Sequence, residues 1–204
     1  ILNLSNTFKK LKMKTFELKG ASRTDLGKKA TKAFRKEDKI PAVIYGGEKA
    51  DQAIHFTVSN SDVRKLIYTP EIFLVDLTID NTNYKAILKD IQIHPVTDAI
   101  LHLDFLHVFD NKPITIDVPV VLDGLAEGVR AGGKLSLDLR KLKVKALYNQ
   151  VPEKLHIDVT SLALGKSVQV GELSFDNIEL LNAKNAVICR VQLTRAARGL
   201  AAKN

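Results

Sequence analysis

From Thr15 onward the chain alternates apolar and polar positions over short runs, the period of strands with one buried face. "FELKGASR" opens a first strand. "IPAVIYGG" (40–47) is an apolar run ended by two glycines, a strand entering a turn, and "AIHFTV" (53–58) alternates again. "SNSDVRKLIYTP" changes to a helical period. Ser59, Asn60 or Ser61 can cap it, Asp62 suits its first turn, Val63, Leu66 and Ile67 share a face, and Pro70 stops it. "FLVDLTID", a turn at Asp80-Asn81, "YKAILKDIQIHP" and "ILHLDFLHV" then read as strands. The segment from Gly27 to Lys36 reads as a short helix or a structured loop that ends on the approach to Pro41. These elements predict a small barrel or curled sheet with one or two helices.

At "FDNKPI" (109–114) polar turn residues and a proline interrupt the pattern, which puts a domain boundary after residue 108. Beyond it, "ITIDVPVVLDG", "KLSLDLRKLKVKAL", "KLHIDVTSL", "SVQVGEL" and "AVICRVQL" alternate between Gly, Pro or Asn breaks. Strands at this spacing predict a second, all-β domain over 109–195, followed by a flexible tail over 196–204. Met13 reads as the natural start of a first domain over 13–108. Residues 1–12 read as an upstream or artificially added extension. Their apolar residues precede their lysines, the reverse of a signal peptide. The fold class expected is mainly β (α+β).

Composition adds two constraints. No stretch approaches the roughly 18 uninterrupted apolar residues of a membrane helix. The single cysteine, Cys189, excludes an intrachain disulfide framework and fits a reducing cytoplasm; within "AVICRVQL" it reads as a small buried thiol rather than a nucleophile. Charge changes the picture more. The net charge is +8, and residues 51–204 hold eighteen Lys/Arg against eighteen Asp/Glu. The whole excess therefore lies in the first quarter, where residues 13–50 carry ten basic side chains against five acidic ones. "GKKATKAFRK" (27–36) packs five of those cations together with no acid. Such segregation suits a polyanion, because cations that displace counterions from phosphates gain affinity by releasing them. A membrane surface would call for large apolar residues opposite the charges, and this run has only Phe34, so nucleic acid is favoured.

Candidate chemistry elsewhere is sparse. "GVRAGGKL" (128–135) resembles a phosphate-binding loop, but Leu135 stands where Ser or Thr would hold magnesium, and a strand pattern follows instead of a helix. His94, His102, Asp104 and His107 raise the possibility of a metal. On a strand His102 and Asp104 share one face and His107 takes the other, too few ligands for a site. His102 and Asp104 can instead read nucleic-acid edges: histidine donates to a phosphate or stacks, and aspartate accepts from a base amino group. Tyr45, before Gly46-Gly47, is either half-buried packing or a nucleotide contact.

"GKKATKAFRKEDKIPAVIYGG", "IQIHP" and "LHLDF", with "VPEKLHIDV" and the Gly128–Gly133 loop further on, resemble the bacterial large-subunit ribosomal protein family that binds 5S rRNA, in its long two-domain form related to the general stress protein Ctc. The resemblance covers about residues 13–200. It implies an N-terminal barrel with flanking helices, similar to the anticodon-binding barrel of glutaminyl-tRNA synthetase, and a β-rich C-terminal domain. No catalysis and no cofactor are implied. The implied partners are 5S rRNA, the large ribosomal subunit and, for the C-terminal domain, neighbouring ribosomal proteins; the implied location is cytoplasmic and ribosome-associated. The family's RNA contacts carry over to Arg23, Arg35, Tyr45, His102 and Asp104, with Lys28, Lys29 and Lys32 on the phosphate backbone and His94 as a further RNA-binding candidate. The basic run would position the RNA and the Tyr–His–Asp set would supply selectivity at an irregular internal loop with a widened minor groove. A stress-related RNA-binding role off the ribosome and a metal-dependent enzyme using His94, His102 and Asp104 are the competing readings.

Overall fold

A computed structural model describes residues 13–47, 53–175 and 177–195. The extension read over 1–12 and the tail read over 196–204 lie outside the described residues. The described chain gathers into two compact units, one of residues 13–114 with 147–149, the other of 115–146 with 150–195.

The first unit is a closed six-stranded barrel. Its elements are β1 (Lys14–Ser22), α1 (Lys28–Lys36), β2 (Lys39–Tyr45), β3 (Ile54–Ser59), α2 (Asn60–Ile67), β4 (Phe73–Ile79), β5 (Thr82–Ile93) and β6 (Ile100–His107). Around the barrel the strands run β1-β3-β2-β6-β5-β4, and β1 closes on β4 in parallel, Lys14 opposite Phe73 through Gly20 opposite Ile79. Closure removes free sheet edges, and one residue in two points inward. Leu18, Phe56, Val58, Leu77, Leu103 and Phe105 fill the interior, with the Phe56 and Phe105 rings 5.8 Å apart. Of the two helices, α2 adds Val63 and Leu66 to that core, whereas α1 buries no side chain fully. The turn at Asp80-Asn81 has φ of 44° and 72°, the doubly left-handed geometry of a tight hairpin.

Two irregularities in the β5–β6 ladder matter for the site. Leu88 faces Phe105 while Asp90 faces Asp104, so Lys89 is an extra residue; Gln92 faces His102 while Ile93 faces Ile100, so Leu101 is another. Each bulge withdraws a residue from the pairing and re-aims the strand.

The second unit comprises β7 (Ile114–Asp123), α3 (Glu127–Arg130), β8 (Lys134–Leu137), β9 (Lys141–Ala146), β10 (Leu155–Asp158), β11 (Ser167–Gln169), β12 (Glu179–Leu180) and β13 (Val187–Gln192). They form a four-stranded sheet, β10-β7-β9-β12, and a three-stranded one, β11-β13-β8. "KLSLDLRKLKVKAL" therefore divides between two sheets. The break falls at Asp138 and Leu139, whose amides both donate to the Ile188 carbonyl. In β9, Lys141, Lys143 and Lys145 point out while Leu142, Val144 and Ala146 point in. Cys189 is fully buried. Leu193, which a strand running through all of "AVICRVQL" would put on the same face as Cys189, lies past the end of β13 and is exposed. The glycine-rich loop serves packing: the Gly133 amide donates to the Gly128 carbonyl at 2.8 Å, and a Cβ on Gly128 would meet the Leu164 backbone nitrogen at 2.6 Å. A strand, not a helix, follows it. Among the described residues no helix is long and apolar enough to cross a membrane.

Candidate nucleic-acid interface

The site is assembled on the outer pleat of β2 and β6, between α1 and β5. Alternation along β6 turns Leu103 and Phe105 inward and leaves His102 and Asp104 half-buried on the outside. Asp104 faces Val43 on one side and Asp90 on the other. His102 Nδ1 lies 2.7 Å from Asp104 Oδ1, with the two side chains 22% and 27% exposed. A carboxylate only accepts, so Nδ1 carries the proton and donates. The other ring nitrogen, Nε2, is thereby an acceptor in the neutral imidazole and a second donor when the ring is charged.

Tyr45 ends β2 on the same outer face. Its phenol is pushed above the usual range first by burial, then by the charges of Asp104 and Asp90. It stays protonated at neutral pH and keeps a hydroxyl to donate.

Arg35 comes from the last turn of α1. Its Nε and Nη2 donate to the Leu101 carbonyl at 3.1 and 2.8 Å. Leu101 is the bulged residue of β6, and the bulge offers its carbonyl to this guanidinium. Arg23 follows β1, its amide donating to the His55 carbonyl on β3 at 3.0 Å. Its side chain has no such anchor: Nε and Nη1 are buried and find no hydrogen-bond partner, and neither does His55 Nδ1. Burial, and then the neighbouring charge of Arg35, push the Arg23 guanidinium below its ordinary value. An arginine remains charged at neutral pH regardless. Two cations thus sit as neighbours, one with donors left over.

The lysines lie on the helix that delivers Arg35. Lys28, Lys29 and Lys32 are all exposed. Gly27 enters the helix with φ of 133°, a conformation that favours glycine, and the Thr31 hydroxyl donates back to the Gly27 and Lys28 carbonyls. No acid stands in the first turn.

Arg23 lies near Arg35, Arg35 grips the carbonyl next to His102, His102 pairs with Asp104, and Asp104 lies near Tyr45, while the three lysines share α1 with Arg35. His94 has a different situation. It sits in the β5–β6 turn, where its Nδ1 accepts from the amides of Val96 and Thr97, both at 3.3 Å, so the ring clamps the turn. His107 packs its ring against Phe109 at 4.3 Å and Tyr84 at 5.6 Å. Among the described residues no three His, Cys, Asp or Glu side chains converge as metal ligands would.

Sequence reasoning missed three contributors: His55, Asp90 and the Leu101 carbonyl. His55 could have been found, since it is the outward polar residue of "AIHFTV" and pairs with Val43 beside Tyr45. A bulged carbonyl leaves no trace in residue identity.

Comparison with known proteins bears on both units. The family model described as the ribosomal L25p family matches residues 18–105, and that of the ribosomal protein TL5 C-terminal domain matches 113–195. A large ribosomal subunit protein bL25 of Porphyromonas gingivalis is 64% identical over 192 residues, 94% of this chain and 99% of that one. The proteins of the same name from Phocaeicola vulgatus and Parabacteroides distasonis are each 61% identical, over 93% and 94% of this chain and 98% and 100% of their own lengths. These are the names of ribosomal proteins, not of enzymes. Matched in both halves, and at such identity along nearly the full length of its relatives, the chain belongs to the ribosomal L25p family.

Proposed function

We propose that this protein is a structural constituent of the large ribosomal subunit and that its barrel binds 5S rRNA through the β2–β6 face. One observation carries the reading: the buried, unpartnered guanidinium nitrogens of Arg23 beside the second cation, Arg35. A folded protein gains nothing from two neighbouring cations of which one keeps orphaned donors. A phosphate beside them supplies the missing charge and, once the Arg23 side chain turns outward, the missing acceptors. Arg23, Arg35, Lys28, Lys29 and Lys32 hold the backbone in this reading; Tyr45, His102 and Asp104 meet base edges and ribose hydroxyls. His94 shapes the adjoining turn. The second unit, with eleven Lys/Arg against nine Asp/Glu over 115–195, faces ribosomal protein neighbours.

The test is titration with a 5S transcript over a range of salt concentrations, against an unrelated RNA of equal length. Tight binding should weaken steeply with salt. Asp104→Ala should relax the preference for 5S more than Lys29→Ala, which should weaken both RNAs alike. Equal affinity of the wild type for both RNAs removes the reading.

A further inference from the structure

Beside the β2–β6 face lies a cleft of about 300 Å³, walled by the end of α1, the outer side of α2 and the β5–β6 turn. We propose that it holds one unpaired nucleotide of the bound RNA, its base stacked on Tyr68 and its phosphate held between Arg35 and Lys39. The proposal rests on the RNA reading above and extends it to a second element, α2.

Tyr68 closes α2 and is 60% exposed, an unusual expenditure of aromatic surface. The Arg64 guanidinium lies 5.6 Å from its ring centroid. An aromatic ring paired with arginine, with ring area still open, is a platform for a planar partner, and every nucleobase has such a face. Arg35, Lys39 and Arg64 line the cleft against Asp38 and Asp98. A bare anion would meet those two acids. A nucleotide would offer them its amino or hydroxyl donors while giving its phosphate to the cations. A peptide has less to grip, because the apolar floor residues Ile40 and Ile100 are already buried in the barrel. Arg35 serves both places: its guanidinium is fixed on Leu101 beside His102, and it lines this cleft. One RNA strand leaving the face reaches the cleft without a gap.

The walls are set in advance. Asp38, with φ of 59°, is locked by Asn60, whose amide donates to the Asp38 carbonyl at 3.1 Å and whose side-chain nitrogen donates to Oδ1 at 2.8 Å. The opposite wall is the turn that His94 clamps. A cleft already shaped in the free protein spares its ligand the ordering cost.

Titration of the 15N-labelled full chain with millimolar AMP tests the cleft apart from 5S rRNA. Saturable shifts are expected at the amides of Arg64, Tyr68 and Ala99. Tyr68→Leu should abolish them, and Lys143→Ala, altered on the outward side of β9 in the second unit, should keep them. In parallel, Tyr68→Leu should weaken 5S binding about five-fold or more with an unchanged melting temperature. The proposal is overturned if those amides do not shift, if the shifts survive Tyr68→Leu, or if Tyr68→Leu binds 5S as the wild type does. Capture of a ribosomal protein through Tyr68 without AMP shifts would give the cleft to a protein and equally overturn it. AMP shifts in a chain that ignores 5S would uphold the nucleotide site and remove the 5S reading.

Discussion

Replacing Arg23 by methionine should make the free protein more stable and the RNA complex weaker. The stem of the side chain keeps its packing in methionine, and the Arg23 amide bond to His55 is untouched. What disappears is a guanidinium with two buried donors, Nε and Nη1, lacking partners. Each such donor costs about 1–3 kcal/mol. The rest of the group reaches solvent, so a net gain of about 1–2 kcal/mol is the realistic share of that cost. In a unit of this size each kcal/mol moves Tm by about 4–8 °C. The reverse holds for the complex. Removing one charge-assisted hydrogen bond to a phosphate costs about 1.5–3 kcal/mol, which weakens affinity about ten-fold or more. The slope of log affinity against log salt should shrink by about 0.7–0.9. Arg35→Met is the contrast: it removes both donors, Nε and Nη2, from the Leu101 carbonyl at an exposed position where water can replace them, and should destabilise by about 0.5–1.5 kcal/mol. The barrel can be followed alone, because all four tyrosines (Tyr45, Tyr68, Tyr84, Tyr148) belong to its unit and the chain has no tryptophan. Tyrosine fluorescence in denaturant therefore reports barrel unfolding. A lower Tm for Arg23→Met, or an unchanged affinity and salt slope, refutes the idea that this guanidinium is held in reserve for a phosphate.

Three further outcomes concern the second unit. Cys189 should resist thiol reagents in the native protein and react only as that unit opens, so its labelling rate measures the opening; fast labelling at neutral pH contradicts its burial. Burial pushes this thiol above its ordinary value, so its contribution to stability is complete below the unfolded thiol pKa and is lost as pH rises through the folded one, and Cys189→Ala should remove that alkaline decline. Gly128→Ala forces a methyl to within 2.6 Å of the Leu164 nitrogen and should cost the second unit about 1–3 kcal/mol, leaving the tyrosine transition and 5S affinity unchanged. A phosphate-binding loop would instead show reduced nucleotide affinity with stability intact.

The strands were legible because one face of each is buried. "AIHFTV" and "ILHLDFLHV" fix which residues point inward whatever their neighbours are. The helix at α2 was legible from Val63, Leu66 and the stop at Pro70. Alternation does not say which strand lies beside which. The parallel pairings of β1 with β4, β2 with β6 and β7 with β10 follow from barrel closure and chain return, not from local pattern. The same limit hid the bulges: Lys89 and Leu101 are extra only relative to a partner strand. Among the candidate residues, Arg23, Arg35, Tyr45, His102 and Asp104 were quotable from motifs, but Tyr45 meets His102 and Asp104 through the β2–β6 pairing, Arg35 arrives through the bulged Leu101 carbonyl, and Arg23 through its bond to β3. His94 shows the opposite: a motif histidine whose ring nitrogen is engaged by its own turn.

The helix that carries the charge gives the strongest physical reason to look for a ligand. Lys28 and Lys36 each lie four residues from Lys32, and Lys29 and Arg35 each lie three away. Every such like-charge pair disfavours the helix by about 0.2–0.5 kcal/mol. Lys28 and Lys29 also stand at its positive end, where the helix dipole favours acids and none is present. No fully buried side chain offsets this; α1 has only the half-buried Ala30, Thr31 and Phe34, the Arg35 grip on Leu101 and the Thr31 bonds within its first turn. Selection for folding alone would place a glutamate or two in this helix. Each term that opposes the free helix changes sign when phosphates lie along it: repelling lysines become counterions, and the bare positive end becomes an anion seat. The same reversal applies to the orphaned Arg23. Two unrelated local features, a helix with the wrong charges and a guanidinium with two orphaned donors, would thus be relieved by one kind of ligand arriving on one side of the barrel.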